Sequence, residues 1–240
     1  MTKRDKETAM HLKRLIDELS RKGPKVLSEI QSKEILECVG IPTTGGIVVA
    51  SEEEAIDAAR KMGYPVALKV QSPDITHKSD VGGVKIGLNT EALVSDAYRK
   101  IMGTVGEKNP TARIEGVVVQ KMALPGVETI IGTTVDKTFG PMIMFGMGGI
   151  FAELTKDISL RVIPIGYGDA KAMIQEIKGF RLLNGFRGAE KADIESLSAV
   201  LMKVSALVWK YPEILEMDIN PIVATPTGAV AVDARIVLTD

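Results

Sequence analysis

The chain has one cysteine, Cys38, and two histidines, His11 and His77, among 240 residues. A single thiol excludes an intramolecular disulfide and suits a reducing compartment. With only two imidazoles beside it, a structural zinc site built from Cys and His cannot assemble. Aromatic residues are scarce at 4%. No apolar run exceeds about ten residues, roughly half of the ~20 that a bilayer span needs. The stretch MTKRDKETAMHLKRLIDEL is charged throughout and lacks the apolar centre of a signal peptide, so a cytoplasmic location is expected. An excess of one charge sign is missing too: 30 basic against 31 acidic residues leave a net −1, and no global field draws the chain to nucleic acid or an anionic membrane. Glycine, by contrast, is plentiful at 23 residues, on a background of 45% hydrophobic and 25% charged residues. That composition fits a helix-and-sheet protein with many tight loops.

Residues 1–25 read as an N-terminal helical extension, with Leu12, Leu15, Ile16 and Leu19 on one stripe and Arg21-Lys22-Gly23-Pro24 ending it. Ser28 with Gln31 three residues on forms a capping box for a second helix, stopped by Gly40 and Ile41-Pro42. GIVVA (46–50) is a strand, and Ser51 with Glu54 caps a helix to about Met62. VALKV (66–70) suits a buried strand, the polar loop 71–83 follows, and VKIGL (84–88) is the next strand. A helix from Asn89 or Thr90 leads to the β-branched strand EGVVVQKM (115–122). After the linker ALPG, strands at 129–135 and 141–146 and helices near 169–178 and 193–209 complete the pass. The alternation of strands and helices indicates an α/β (α+β) fold.

The carboxy-terminal segments ILEMDINPIVA (214–224) and AVAVDARIVL (229–238) alternate around the turn signal Thr225-Pro226-Thr227-Gly228. With Pro226-Thr227 as a two-residue tip, Met217 opposes Ile236, Ile219 opposes Ala234 and Val223 opposes Val230. A one-residue slip would set Ile219 against Arg235 and break the core face. The preferred register places Asn220 opposite Asp233, with Glu216, Asp218 and Arg235 on the same polar face. Cross-strand Cβ atoms ~4.5–5.5 Å apart let two side-chain oxygens converge on a small cation, and Mg²⁺ suits them because it takes few protein oxygens. The plainer alternative is a solvated face with an Asp218–Arg235 ion pair.

Lys69 lies in an otherwise apolar strand and needs an anionic partner, either a phosphate or a structural carboxylate. Lys78 and Lys85 flank Gly82-Gly83, so main-chain N–H groups and ammonium charge could together approach a phosphate. Gly146-Met147-Gly148-Gly149 does not complete a GxGxxG pattern, because Phe151 takes the last glycine position, and no GxxxxGK[ST] occurs. His77 sits among polar residues in Asp74–Asp80. Its imidazole is an acid, base or phosphoryl acceptor, or else an ordinary surface histidine.

Taken in order, LSEIQSKEILECVGIPT, VALKV, SPDITHKSDVGGV, GVVVQKM, FGMGGIFAE, GFRG, DINPIV and AVDARI resemble the ATP-grasp β subunit of ADP-forming acyl-CoA synthetases (acetate–CoA ligases), relatives of succinyl-CoA synthetase. The resemblance covers roughly residues 26–240. It implies an ATP-grasp domain over 26–240, with a small lobe at about 46–122, a larger lobe of 26–45 plus 123–240, and a nucleotide between them. It implies further that Lys69 meets the nucleotide phosphates, that Gln120, Lys121 and Met122 form the hinge whose backbone reads adenine, and that Glu128 serves the ribose and phosphate end. Gln120 stands where succinyl-CoA synthetase relatives often have Glu. Asn220 and Asp233 match Mg²⁺ ligands, and His77 matches a second phosphorylated histidine that passes a phosphoryl group to Mg-ADP. The implied partner is a CoA-binding α subunit in an α2β2 heterotetramer. Two other readings stand beside this one: a nucleotide-sensing ATP-grasp regulatory module of an acyltransferase-like complex, and a carboxylate–amine ligase, which would need no loop histidine.

Overall fold

In the computed structural model, residues 3–20, 25–75, 77–149 and 157–239 are described. The elements run α1 (Lys3–Ser20), β1 (Lys25–Val26), α2 (Glu29–Cys38), β2 (Ile47–Val49), α3 (Glu52–Met62), β3 (Val66–Gln71), β4 (Val84–Leu88), α4 (Glu91–Lys108) and β5 (Gly116–Lys121). They continue as β6 (Val127–Asp136), β7 (Gly140–Met147), β8 (Ile158–Val162), α5 (Tyr167–Glu176), α6 (Phe180–Leu183), a 3₁₀ turn (Phe186–Gly188), α7 (Ile194–Lys210), β9 (Ile214–Thr225), β10 (Gly228–Ala231) and β11 (Arg235–Leu238). The chain divides into two units, residues 44–123 and residues 1–43 with 124–240.

In the 44–123 unit the helix starts are set by side chains. Ser51 Oγ accepts the Glu54 N–H at 3.1 Å while Glu54 Oε2 accepts the Ala50 N–H at 2.8 Å, and Thr90 Oγ1 accepts the Leu93 N–H at 3.3 Å. The Ser51 and Thr90 hydroxyls each satisfy a donor that the first helical turn leaves orphaned, and Glu54 ties back the residue before the cap. The sheet order is β2-β5-β3-β4, antiparallel throughout. Strand alternation sends Val66, Leu68, Val70, Val117 and Val119 into the core with Ala55 and Ala59 of α3 and Ile101 and Val105 of α4. Ala67, Lys69, Val118 and Gln120 then fall on the opposite face.

The other unit holds a seven-stranded sheet in the order β1-β11-β9-β6-β7-β8, with β10 also paired to β9. Its core joins Leu12, Ile16 and Leu19 of α1, Ile35 and Leu36 of α2, the apolar stripe of α7 and the inward residues Ile131, Phe145, Met217, Ile219 and Ile236. The capping box of α2 is made: Ser28 Oγ accepts the Gln31 N–H at 3.3 Å, and Gln31 Oε1 accepts the Ser28 N–H at 3.1 Å. The hairpin adopts the anticipated register, with Gly228 opposite Thr225, Val230 opposite Val223, Arg235 opposite Asp218 and Ile236 opposite Met217. The return strand is nonetheless two strands, broken at 232–234, although Asn220 N–H still donates to Asp233 O at 3.2 Å.

Strand β8 is not predicted by the sequence pattern. Its Ile158, Leu160 and Val162 are exposed while Ser159 is buried, so the alternation points the apolar residues away from the core and carries no core signal. Among the described residues no helix is long and apolar enough to cross a membrane.

Lys33 Nζ donates to Glu29 Oε1 at 2.8 Å, one turn apart on α2, with the two side chains 2% and 3% exposed. Removing one partner leaves a buried charge, so Glu29→Ala is expected to lower the unfolding free energy by about 3–5 kcal/mol in urea titrations. The double change Glu29→Leu with Lys33→Met removes both charges and should recover most of that loss.

Candidate functional site

Lys69 is the fourth residue of a strand whose first five positions are all buried, and its own side chain is 6% exposed. It lies opposite Val118, and Gln120, 2% exposed, is its diagonal neighbour on the same sheet face. The ladder continues one residue past β5, where Met122 N–H donates to Pro65 O at 3.2 Å. Ladder alternation therefore turns the main-chain N–H and C=O of Lys121 away from β3, toward the β2 side and beyond the Ile47–Val119 pair that ends β2. Lys121 is exposed and Met122 half-buried.

The loop between β3 and β4 is pinned along its length. Ile75 is buried in the core, Asp74 Oδ2 accepts the Arg113 N–H at 2.7 Å, and Lys108 Nζ donates to Asp80 O at 3.2 Å. At its end Gly83 N–H donates to Lys78 O at 2.8 Å, and Val70 N–H donates to Gly83 O at 2.7 Å, one residue from Lys69. A Cβ at Gly83 would lie 2.5 Å from Val70 Cγ1, so the close return needs glycine. His77 is exposed on this loop. The idea that Gly82 and Gly83 offer their N–H groups to a phosphate is not met: Gly82 N–H is held by Ser79 O at 3.0 Å and Gly83 N–H by Lys78 O. These groups close the loop that presents His77.

In the other unit, Glu128 is exposed near the start of β6, opposite Val223. Gly148 N–H donates to Glu128 O at 2.8 Å, and a Cβ on Gly148 would stand 3.0 Å from the Glu128 carbonyl carbon. Gly149, at φ 69, places its backbone where a Cβ would be 2.8 Å from Glu128 Oε2. The glycine run thus lets a main-chain turn lie against Glu128. The rest of FGMGGIFAE, from Ile150 to Glu153, lies outside the described residues.

On the polar face of the hairpin, Asn220 is exposed and Asp218 and Asp233 are half-buried. Burial pushes the Asp218 carboxyl above its usual range and the Asp233 charge pushes it further, while Arg235 opposes both. The Asp218–Arg235 ion pair of the plainer alternative is not formed: Arg235 Nη1 meets Glu216 Oε1 at 3.2 Å, a partner two residues along the same face. The Asp233 charge still acts on Asp218, a repulsion that a cation would relieve, and Asp233 Oδ1 accepts the Ala234 N–H at 2.9 Å. Among the described residues there is no cluster of three or more His, Cys, Asp or Glu able to cage a metal. The oxygen set fits Mg²⁺, which keeps most of its water. Asp218 joins this face through its period-two spacing from Asn220, a signal present in the sequence without a ligand pattern to mark it.

A family model described as an ATP-grasp domain matches residues 18–238. The chain is 44% identical over 225 residues to the acetate–CoA ligase (ADP-forming) I subunit beta of Pyrococcus furiosus, covering 94% of this chain and 97% of that one. It is also 44% identical over 224 residues to acetate–CoA ligase (ADP-forming) I of Archaeoglobus fulgidus, where 93% of this chain spans only 32% of the relative. The dinucleotide-forming acetyl-coenzyme A synthetase 1 of Ca. Korarchaeum cryptofilum, solved with coenzyme A and Ca-AMPCP, superposes with a TM-score of 0.90 at 47% identity over 94% of this chain and 98% of that one. A second structure of it, with coenzyme A and Mg-AMPPCP, has its phosphohistidine segment pointing towards the nucleotide binding site, at a TM-score of 0.82 and 43% identity over 95% and 99% of the two chains. By the family model and these likenesses, the chain belongs to the ATP-grasp family, among the β subunits of ADP-forming acetate–CoA ligases.

Proposed function

We propose that this chain is the nucleotide-binding β subunit of an ADP-forming acetate or acyl-CoA ligase, catalysing acyl-CoA + ADP + phosphate ⇌ carboxylic acid + CoA + ATP. The observation that carries the reading is an exposed imidazole, His77, on a loop tied back to the strand that buries Lys69. The CoA-binding half belongs to a separate α subunit in a cytoplasmic α2β2 assembly. That division is supported by the Pyrococcus relative being a subunit and by the Archaeoglobus relative matching this chain over only 32% of its length. The domain assignment, 26–240 with a small lobe at about 46–122, goes with the same proposal.

In this mechanism a histidine of the partner brings the phosphoryl group. A neutral ring nitrogen of His77 attacks phosphorus, the P–N bond to the partner's ring breaks, and a new P–N bond forms on His77. A terminal β-phosphate oxygen of ADP then attacks, the His77 P–N bond breaks with its electron pair returning to the ring, and ATP departs. Lys69 neutralises charge on the phosphate oxygens from a desolvated position, where an ammonium acts most strongly. Lys121 offers main-chain N–H and C=O to adenine, flanked by Gln120 and Met122, and Glu128 serves the ribose and phosphate end. Asn220 and Asp233, with Asp218 beside them, hold Mg²⁺. When bound, the ion supplies further charge neutralisation at the phosphates.

Incubation of the chain with γ-labelled Mg-ATP should leave an acid-labile, base-stable label. His77→Ala should abolish it while changing the Mg-ADP dissociation constant by less than about threefold, well under 1 kcal/mol. Intact nucleotide binding without label on the wild-type chain would favour a sensing module, and full ligase activity in His77→Ala would favour a carboxylate–amine ligase. Asp233→Ala should raise the Mg²⁺ concentration for half-maximal ADP binding by about tenfold or more, read by calorimetric titration at fixed ADP.

A further inference from the structure

The GFRG segment, residues 185–188, is a sequence motif that this mechanism leaves unused. Arg187, at φ 55 and ψ 36, is the one non-glycine residue in the left-handed region among the described residues. Its neighbours Gly185 (φ 88) and Gly188 (φ 85) share that region. A Cβ at Gly185 would stand 2.8 Å from Ala189 O, so the turn is closed to other residues there. Main-chain bonds fix the turn from both sides: Gly185 N–H to Leu182 O at 3.3 Å, Ala189 N–H to Phe186 O at 3.2 Å, and Ala192 N–H to Leu183 O at 2.8 Å. A left-handed arginine persists only where its surroundings impose it, and such strain gathers where a side chain must be aimed.

The guanidinium lies 5.2 Å from the centre of the exposed Phe186 ring. No carboxylate meets it among the described residues, whereas Arg60, Arg161 and Arg235 each meet one. A planar guanidinium supported on one face by an aromatic ring keeps its N–H edge for a bidentate oxyanion. The loop is also strung between two points at Glu128's end of the sheet. On one side Gly179 packs so tightly on Met147, the residue before Gly148, that a Cβ would lie 2.2 Å from its Cγ. On the other side Asp193 N–H donates at 2.8 Å to Thr225 O, at the end of the strand whose Val223 faces Glu128.

We propose that Arg187 is a phosphate-binding residue, held by the strained Gly185–Gly188 turn for the anionic oxygens of a phosphate or phosphoryl group. The proposal rests on the phosphoryl-transfer reading above, and it has two possible sources of phosphate, the nucleotide and the group carried by the partner subunit. Arg187→Gly removes the guanidinium and suits the left-handed backbone, so it should melt at or above the wild-type temperature. If the nucleotide is the source, Arg187→Gly weakens Mg-ADP binding by about tenfold or more in calorimetric titration of the full chain. If the partner's group is the source, that affinity stays and phosphoryl transfer to His77 in the co-purified complex slows by about tenfold or more. Arg187→Lys should restore part of either loss, because charge returns without the fork. Wild-type affinity and transfer rate in Arg187→Gly would overturn the proposal, as would a drop of several degrees in its melting temperature, which marks a structural role. A wild-type chain that neither binds Mg-nucleotide nor takes label fails the functional reading itself, whereas normal wild-type behaviour with an unaffected Arg187→Gly fails this inference alone.

Discussion

Antiparallel pairing of β9 with its return strands is the constraint on which both the large core and the acidic face depend. Side chains alternate with a period of two, so the register that sends Met217, Ile219 and Ile236 inward sends Asp218, Asn220 and Arg235 outward. A slip by one residue would bury the acids and expose the isoleucines. The two-residue tip at Pro226-Thr227 and the burial of the isoleucines enforce the same answer from opposite ends. Positions that gather oxygens on one face are therefore fixed by hydrophobic burial on the other, which holds Asp218 in place although burial and the Asp233 charge disfavour its ionised form.

The 44–123 unit solves a different problem, keeping a loop residue exposed yet fixed. Its helices cover one sheet face, so Lys69 and Gln120 fall on the other by strand alternation alone. The loop after β3 is anchored by Ile75 in the core, by Asp74 on the Arg113 N–H and by the Gly83 return to Val70, and His77 rides on those anchors. Gly83 matters through the space it leaves for Val70, and its N–H serves the loop's own closure.

Most of this architecture is legible in the sequence because the signals are local. Caps at Ser28, Ser51 and Thr90, the buried run of β3 and the hairpin register all follow from neighbouring residues and one period. What escapes is set by contacts distant in sequence. Strand β8 turns its apolar residues to the outside, so its alternation misleads. Arg235 chooses Glu216 over Asp218 because strand pairing fixes only which residues face each other, whereas a long side chain can reach a neighbour along the strand. The left-handed backbone of Arg187 has no local signature beyond the glycines beside it. The roles proposed toward nucleotide and metal rest on the family resemblance; for Asn220 and Asp233 the hairpin register adds that the two residues face each other, joined by a main-chain bond.

The proposed mechanism makes His77 a phosphoryl carrier on the reaction path. Pre-labelling the chain at His77 and then chasing the isolated phosphoprotein with unlabelled Mg-ADP tests it most directly. The label is expected to leave the protein and appear in the γ-phosphate of ATP at least as fast as the assembled enzyme turns over. Label that stays on the chain, or that leaves only as inorganic phosphate, would contradict it.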